Sequence, residues 1–80
     1  MTAREIAALF EDLELRLIAS LKRNLARHKA EEKDEGFDWP AWQAEKLHSL
    51  QRFRRENNSI MAEYSDQIDA ETRALMRRQF

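Results

Sequence analysis

Eighty residues allow one small domain at most, and a chain that short buries only about 60% of the surface its unfolded form exposes, so a staple or a partner is expected. The lack of cysteine excludes disulfides and a thiolate zinc site and fits a reducing compartment, while one glycine and one proline disfavour a turn-rich β fold. Fourteen basic against fifteen acidic side chains leave a formal net charge of −1, which gives no bulk attraction to nucleic acid or to an anionic membrane.

The chain opens with Thr2 and, three residues on, Glu5, the spacing of a capping box. Ile6, Phe10, Leu13, Leu17, Leu21 and Leu25 follow at steps of four and three. Leu9, Leu15 and Ile18 widen this stripe, which marks one face of a helix of period about 3.6. Glu5, Glu11, Asp12 and Glu14 lie early and Lys22, Arg23, Arg27 and Lys29 late, an order that complements the helix dipole at both ends. The helix is expected over residues 3–29. A rod of about 27 residues is roughly 40 Å long, whereas a compact domain of this size is about 30 Å across. Part of the stripe is therefore expected to need another chain to cover it. The amino end, Met1-Thr2-Ala3-Arg4-Glu5, has no apolar core of the signal type, and no apolar run nears the ~20 residues of a membrane span. A soluble chain made in the cytoplasm is expected.

Residues 30–38 read as a charged linker, with Glu31, Glu32, Lys33, Asp34 and Glu35 ahead of Gly36. The run lacks the alternating oxygen ligands, internal glycine and terminal glutamate of a calcium loop. A second helix is expected over 39–56. Asp38 can cap it, Pro40 falls in a first turn whose N–H groups have no helical partner, and Phe37 and Trp42 stand at the two positions of a hydrophobic staple. Trp39, Trp42, Leu47, Leu50 and Phe53 line one of its faces. Tandem Asn57-Asn58 favours turns and caps, so the helix is expected to fade there. Asn58 or Ser59 can open a third helix, and two short helices over 58–67 and 69–80 are expected, parted by a short break within Ser65–Asp69, with one continuous helix to the end as the alternative. They carry Ile60, Met61 and Tyr64, then Ile68, Leu75, Met76 and Phe80. No glycine, asparagine or proline closes the last helix, which suggests a parent chain that continues past Phe80.

The fold class expected is thus all-α, a single helical domain or segment over residues 1–80. A long first helix and a linker lead into two or three shorter helices, extended or hairpin-like in preference to a compact globule.

Nothing in the sequence assembles an active site. His28 and His48 are the only imidazoles; they lie in different helices, without a nucleophile elbow or a His-x-x-x-His spacing, and read as partly exposed helical histidines. There is no glycine-rich phosphate loop. No catalytic residue, metal site, cofactor or small-molecule substrate is expected.

Arg52, Arg54 and Arg55 around Phe53, with Lys46 nearby, form the best basic patch. It reads as a solvated helix face before it reads as a phosphate site, because no RNA- or DNA-reading signature accompanies it. Trp39 and Trp42 are hard to bury together in so small a domain, and tryptophan and arginine dominate interface hot spots. The candidate partner-binding residues are therefore Phe10, Leu13, Leu17 and Leu21 on the first helix and Trp39, Trp42, Phe53, Arg52, Arg54 and Arg55 on the second. Trp42 is the better core member and Trp39 the better contact.

Three segments together carry a resemblance: Leu13 to Leu25, Trp39-Pro-Ala-Trp-Gln-Ala-Glu-Lys-Leu47, and Asn58-Ser-Ile-Met-Ala-Glu-Tyr64. In this order they resemble the amino-terminal part of the tailed-phage minor capsid protein family, of the minor capsid protein 2 type. The Trp-Gln-Ala-Glu-Lys-Leu stretch is the most distinctive. The resemblance implies a longer parent chain and a structural role in a phage or prophage head. It implies docking on portal and capsid proteins during assembly and residence in the virion, with no catalytic residue to carry over. Self-association is a further expectation. A bacterial helical adaptor and a nucleic-acid-binding helical module using Arg52, Arg54 and Arg55 are the alternatives.

Overall fold

The computed structural model describes residues 1–79 and consists of three helices, α1 (Ala3–Ala30), α2 (Trp39–Glu63) and α3 (Ser65–Gln79). Among the described residues there is no strand. Phe80, expected in the last apolar stripe, lies outside them.

The first helix begins as its sequence dictates. The Thr2 hydroxyl accepts from the Glu5 N–H and the Glu5 carboxylate accepts from the Thr2 N–H, both at 3.2 Å. Two of the donors that a helix start leaves without partners are satisfied this way. That hydrogen bonding to Thr2 also holds the Glu5 carboxyl below its ordinary pKa. At the far end Arg27, His28 and Lys29 sit in the last turn.

The chain then reverses through a tight turn. The Gly36 N–H donates to the Lys33 carbonyl at 2.8 Å, and Gly36 has φ +100°. A side chain at this φ meets its own backbone, and glycine does not. Asp38 caps α2: its carboxylate accepts from the Ala41 N–H at 3.1 Å, with Pro40 in the first turn.

α2 runs back antiparallel to α1. Arg27–Glu45 at one end and Arg16–Glu56 further along fix the register. The stripe of α1 faces the α2 positions Trp42, Ser49, Phe53, Asn57, Ile60 and Tyr64, all partly covered, and Ile6 and Leu13 are the buried apolar residues. A two-helix layer has solvent on both broad sides, so most of its seam stays half-buried. Midway along, Ser20 and Ser49 share a hydrogen bond of 3.2 Å, and the Asn24 amide donates to Ser49 at 3.3 Å. These polar groups interrupt the apolar seam.

Two boundaries differ from the sequence expectation. α2 does not fade at Asn57-Asn58 but continues to Glu63. Asn57 is half-buried in the seam, and Ser59, instead of capping a new helix, donates back to the Arg55 carbonyl at 3.1 Å. Packing against α1 outweighs the local preference of asparagine for turns. The break comes at Tyr64, inside the helix expected over 58–67, and not near residue 68. It is mild: the Ile68 N–H still donates to the Tyr64 carbonyl at 2.9 Å.

The molecule measures 60 × 22 × 20 Å, with a radius of gyration of 18.2 Å. A compact chain of this length would have a radius near 12 Å. α2 and α3 laid end to end are about 60 Å long, so the two helices run nearly in line. α1 is shorter, about 42 Å. α3 therefore touches the hairpin only near its start, where the Gln67 amide donates to the Met1 carbonyl. From Asp69 to Arg78 every residue of α3 is exposed.

Candidate interaction surfaces

At the linker end of the hairpin the aromatic side chains gather. Phe37 packs edge-on against both Trp39 (ring centroids 4.7 Å apart) and Trp42 (6.2 Å), and the two tryptophans meet edge-on at 5.5 Å. Phe37 and Trp42 are thus the staple their positions predict. The Lys46 ammonium lies 4.9 Å from the Trp42 ring centre, a cation–π contact. Trp42 is half-buried beneath this cluster, while Trp39 is 60% exposed.

His28 closes the cluster on the α1 side, edge-on to Phe37 at 6.2 Å. It is buried, contrary to the expected partial exposure, because α2 and the linker fold over the end of α1. Its Nε2 lies 3.2 Å from Glu45 Oε1, close enough to pair if protonated but not aligned as a hydrogen bond. Glu45 also receives the Arg27 guanidinium. That hydrogen bond, helped by the charge of Arg27, holds the Glu45 carboxyl below its ordinary pKa against some desolvation. His48 stands exposed on α2. Among the described residues no three histidine or carboxylate side chains converge as a metal site would require.

The arginines do not act as a unit. Arg52 lines an open groove of about 430 Å³ together with Arg16 and Arg23 of α1, over a floor of Leu17, Ser20, Ser49 and Phe53. Consecutive helical residues are about 100° apart, so Arg54 points to the opposite side of the hairpin and Arg55 away from α1. The sequence patch Arg52, Arg54 and Arg55 is divided among three directions. Its real neighbours, Arg16 and Arg23, carried no signal because they belong to the other helix. Arg16 is itself tied, to Asp12 at 3.0 Å and to Glu56 at 3.7 Å.

The first-helix candidates are also redirected. Leu13 is buried and Phe10, Leu17 and Leu21 are half-buried, turned toward α2 of the same chain. What they bind first is their own hairpin. Phe53 does the same from α2. Trp39 is the apolar sequence candidate left open. The hairpin also leaves exposed Ile18, Leu47, Leu50 and Met61 on its flank, and Leu75 and Met76 on the overhang of α3; sequence reading placed Ile18, Leu47 and Leu50 on contact faces without naming them as candidates, and missed Met61, Leu75 and Met76 as contacts.

These features describe a rod that carries exposed aromatic and apolar side chains. The sequence profile described as phage minor capsid protein 2 matches residues 1–79. The chain belongs to this family. No curated protein and no solved structure matches it. Membership gives the chain a structural role in a phage particle and agrees with the resemblance carried by its three sequence segments. Among the described residues no helix of this family member is long and apolar enough to cross a membrane.

Proposed function

We propose that this chain is a helical structural piece of the phage head that docks on portal or capsid proteins and stays in the virion. The observation that carries the docking reading is Trp39. It is a large aromatic side chain, 60% exposed, packed edge-on against Phe37 and Trp42 at the end of the hairpin. An exposed but preorganised tryptophan loses little freedom on binding and is the commonest kind of interface hot spot. The overhang of α3 supports the same reading. Its Leu75 and Met76 project past the end of α1, where no described residue covers them. On this reading the chain does no chemistry, and its work is to join surfaces.

The test is co-sedimentation of the chain with portal and head proteins of the same phage. Trp39→Ala should keep its helicity by circular dichroism and lose about 2 kcal/mol or more of binding. Trp42→Ala should lower helicity or melting temperature, because Trp42 is the member packed under the cluster. Undiminished binding by a folded Trp39→Ala variant would move the docking surface elsewhere.

A further inference from the structure

The two broad sides of the hairpin are unlike. In an antiparallel pair, residues at the same angular offset from the seam emerge on the same side of both helices. One side carries Arg16 and Arg23 of α1 and Arg52 of α2, around the groove described above. At about 100° per residue, the other side receives Ile18 and Leu25 from α1 and Leu47, Leu50 and Met61 from α2. Ile18 is 47% exposed and Leu47 57%. The register set by Arg27–Glu45 and Arg16–Glu56 puts Leu25 beside Leu47 and Ile18 beside Arg54. The result is an apolar strip across both helices that the described residues leave largely open.

We infer that this side is a dimer interface, on which a second copy of the chain packs to form an antiparallel four-helix bundle. The charges around the strip identify the occupant. On this side of α1, Glu11 and Glu14 precede Ile18, and Lys22 and Lys29 follow it. A two-fold axis at the level of Ile18 runs α1 antiparallel to its copy and sets Glu14 opposite Lys22 of the second copy, twice over. Because Ile18 lies beside Arg54, the same axis runs the two α2 helices past each other about Arg54. That sets Leu47 opposite Met61 of the second copy, while Glu11 falls opposite Leu25 of the second copy and must lean its carboxylate out to solvent. Arg54 meets its own copy at the axis and must turn its guanidinium out to solvent, which makes it the weak point of the interface.

The size is also right. A side about 40 Å long, on a molecule with cross-section 22 × 20 Å, offers on the order of 800 Å² per partner, that of a standard stable interface. This inference does not rest on docking to head proteins.

Sedimentation equilibrium of the purified chain tests it. The wild-type chain should be a dimer at micromolar concentration. Leu47→Glu should raise the dissociation constant by about tenfold or more, at unchanged helicity, as loss of a central contact does. Leu75→Glu changes a leucine that is 55% exposed on the overhang of α3, away from the strip, and should leave the dimer intact. Glu14→Lys should weaken association, the double variant Glu14→Lys/Lys22→Glu should restore it, and Arg54→Leu should strengthen it. A wild-type chain that stays monomeric at about a hundred micromolar would overturn the inference, since interfaces of this size hold more tightly. So would a dimer that Leu47→Glu leaves unchanged, or one that Leu75→Glu breaks as readily. Loss of head-protein binding by Leu47→Glu in a monomeric chain would give the strip to a different partner.

Discussion

Asp38 holds the start of α2 through one carboxylate contact to the Ala41 N–H. Asp38→Ala should lower the unfolding free energy by about 1 kcal/mol, the usual worth of an N-cap, measured by urea denaturation. Gly36 works through its backbone alone, since a Cβ built there meets nothing within 4 Å. Gly36→Ala should therefore cost about 1–2 kcal/mol from the positive φ and nothing from crowding. Glu45 gives a pH signature. Its carboxyl is held below the ordinary range by Arg27, so the stability it contributes is full above that range and is lost as pH falls through the depressed value. Melting temperature should fall between pH 6 and pH 3 by less in Glu45→Gln than in the wild type. An equal fall would mean that the Arg27–Glu45 pair contributes nothing to the folded state.

The helices themselves were legible because their signals are local. Thr2 and Glu5 form the capping box their spacing announces, Asp38 caps, and Phe37 meets Trp42. What sequence could not show was which partner each face meets. The stripe of Phe10, Leu13, Leu17 and Leu21 is plain as a stripe, but its cover is α2, tens of residues away in the chain. The same non-local contact carries α2 through Asn57-Asn58, and it gives Arg52 the company of Arg16 and Arg23 in place of Arg54 and Arg55. A further consequence belongs to α3. A 15-residue helix without tertiary cover is marginal in water. Amides over residues 70–78 should therefore exchange hydrogen much faster than those around Leu13 and Leu17 in the free chain. Equal protection would show that α3 is covered.

As a whole the chain is a rod, with two apolar side chains buried among the described residues and its other contacts half-open. Such a shape stabilises itself poorly and offers much surface for its mass, which suits a part that is completed by assembly. Scattering from the Leu47→Glu variant should give a radius of gyration near the 18.2 Å of the single chain. A value near the ~12 Å of a compact domain would mean that α3 folds back on the hairpin. The most direct test of the structural role is cross-linking mass spectrometry on purified phage particles that carry this chain. The account predicts that the chain is present in the particle. It also predicts that Lys33 and Lys46, which flank the aromatic end, cross-link to portal or capsid protein. Particles that lack the chain, or in which neither lysine reaches a head protein, would contradict it.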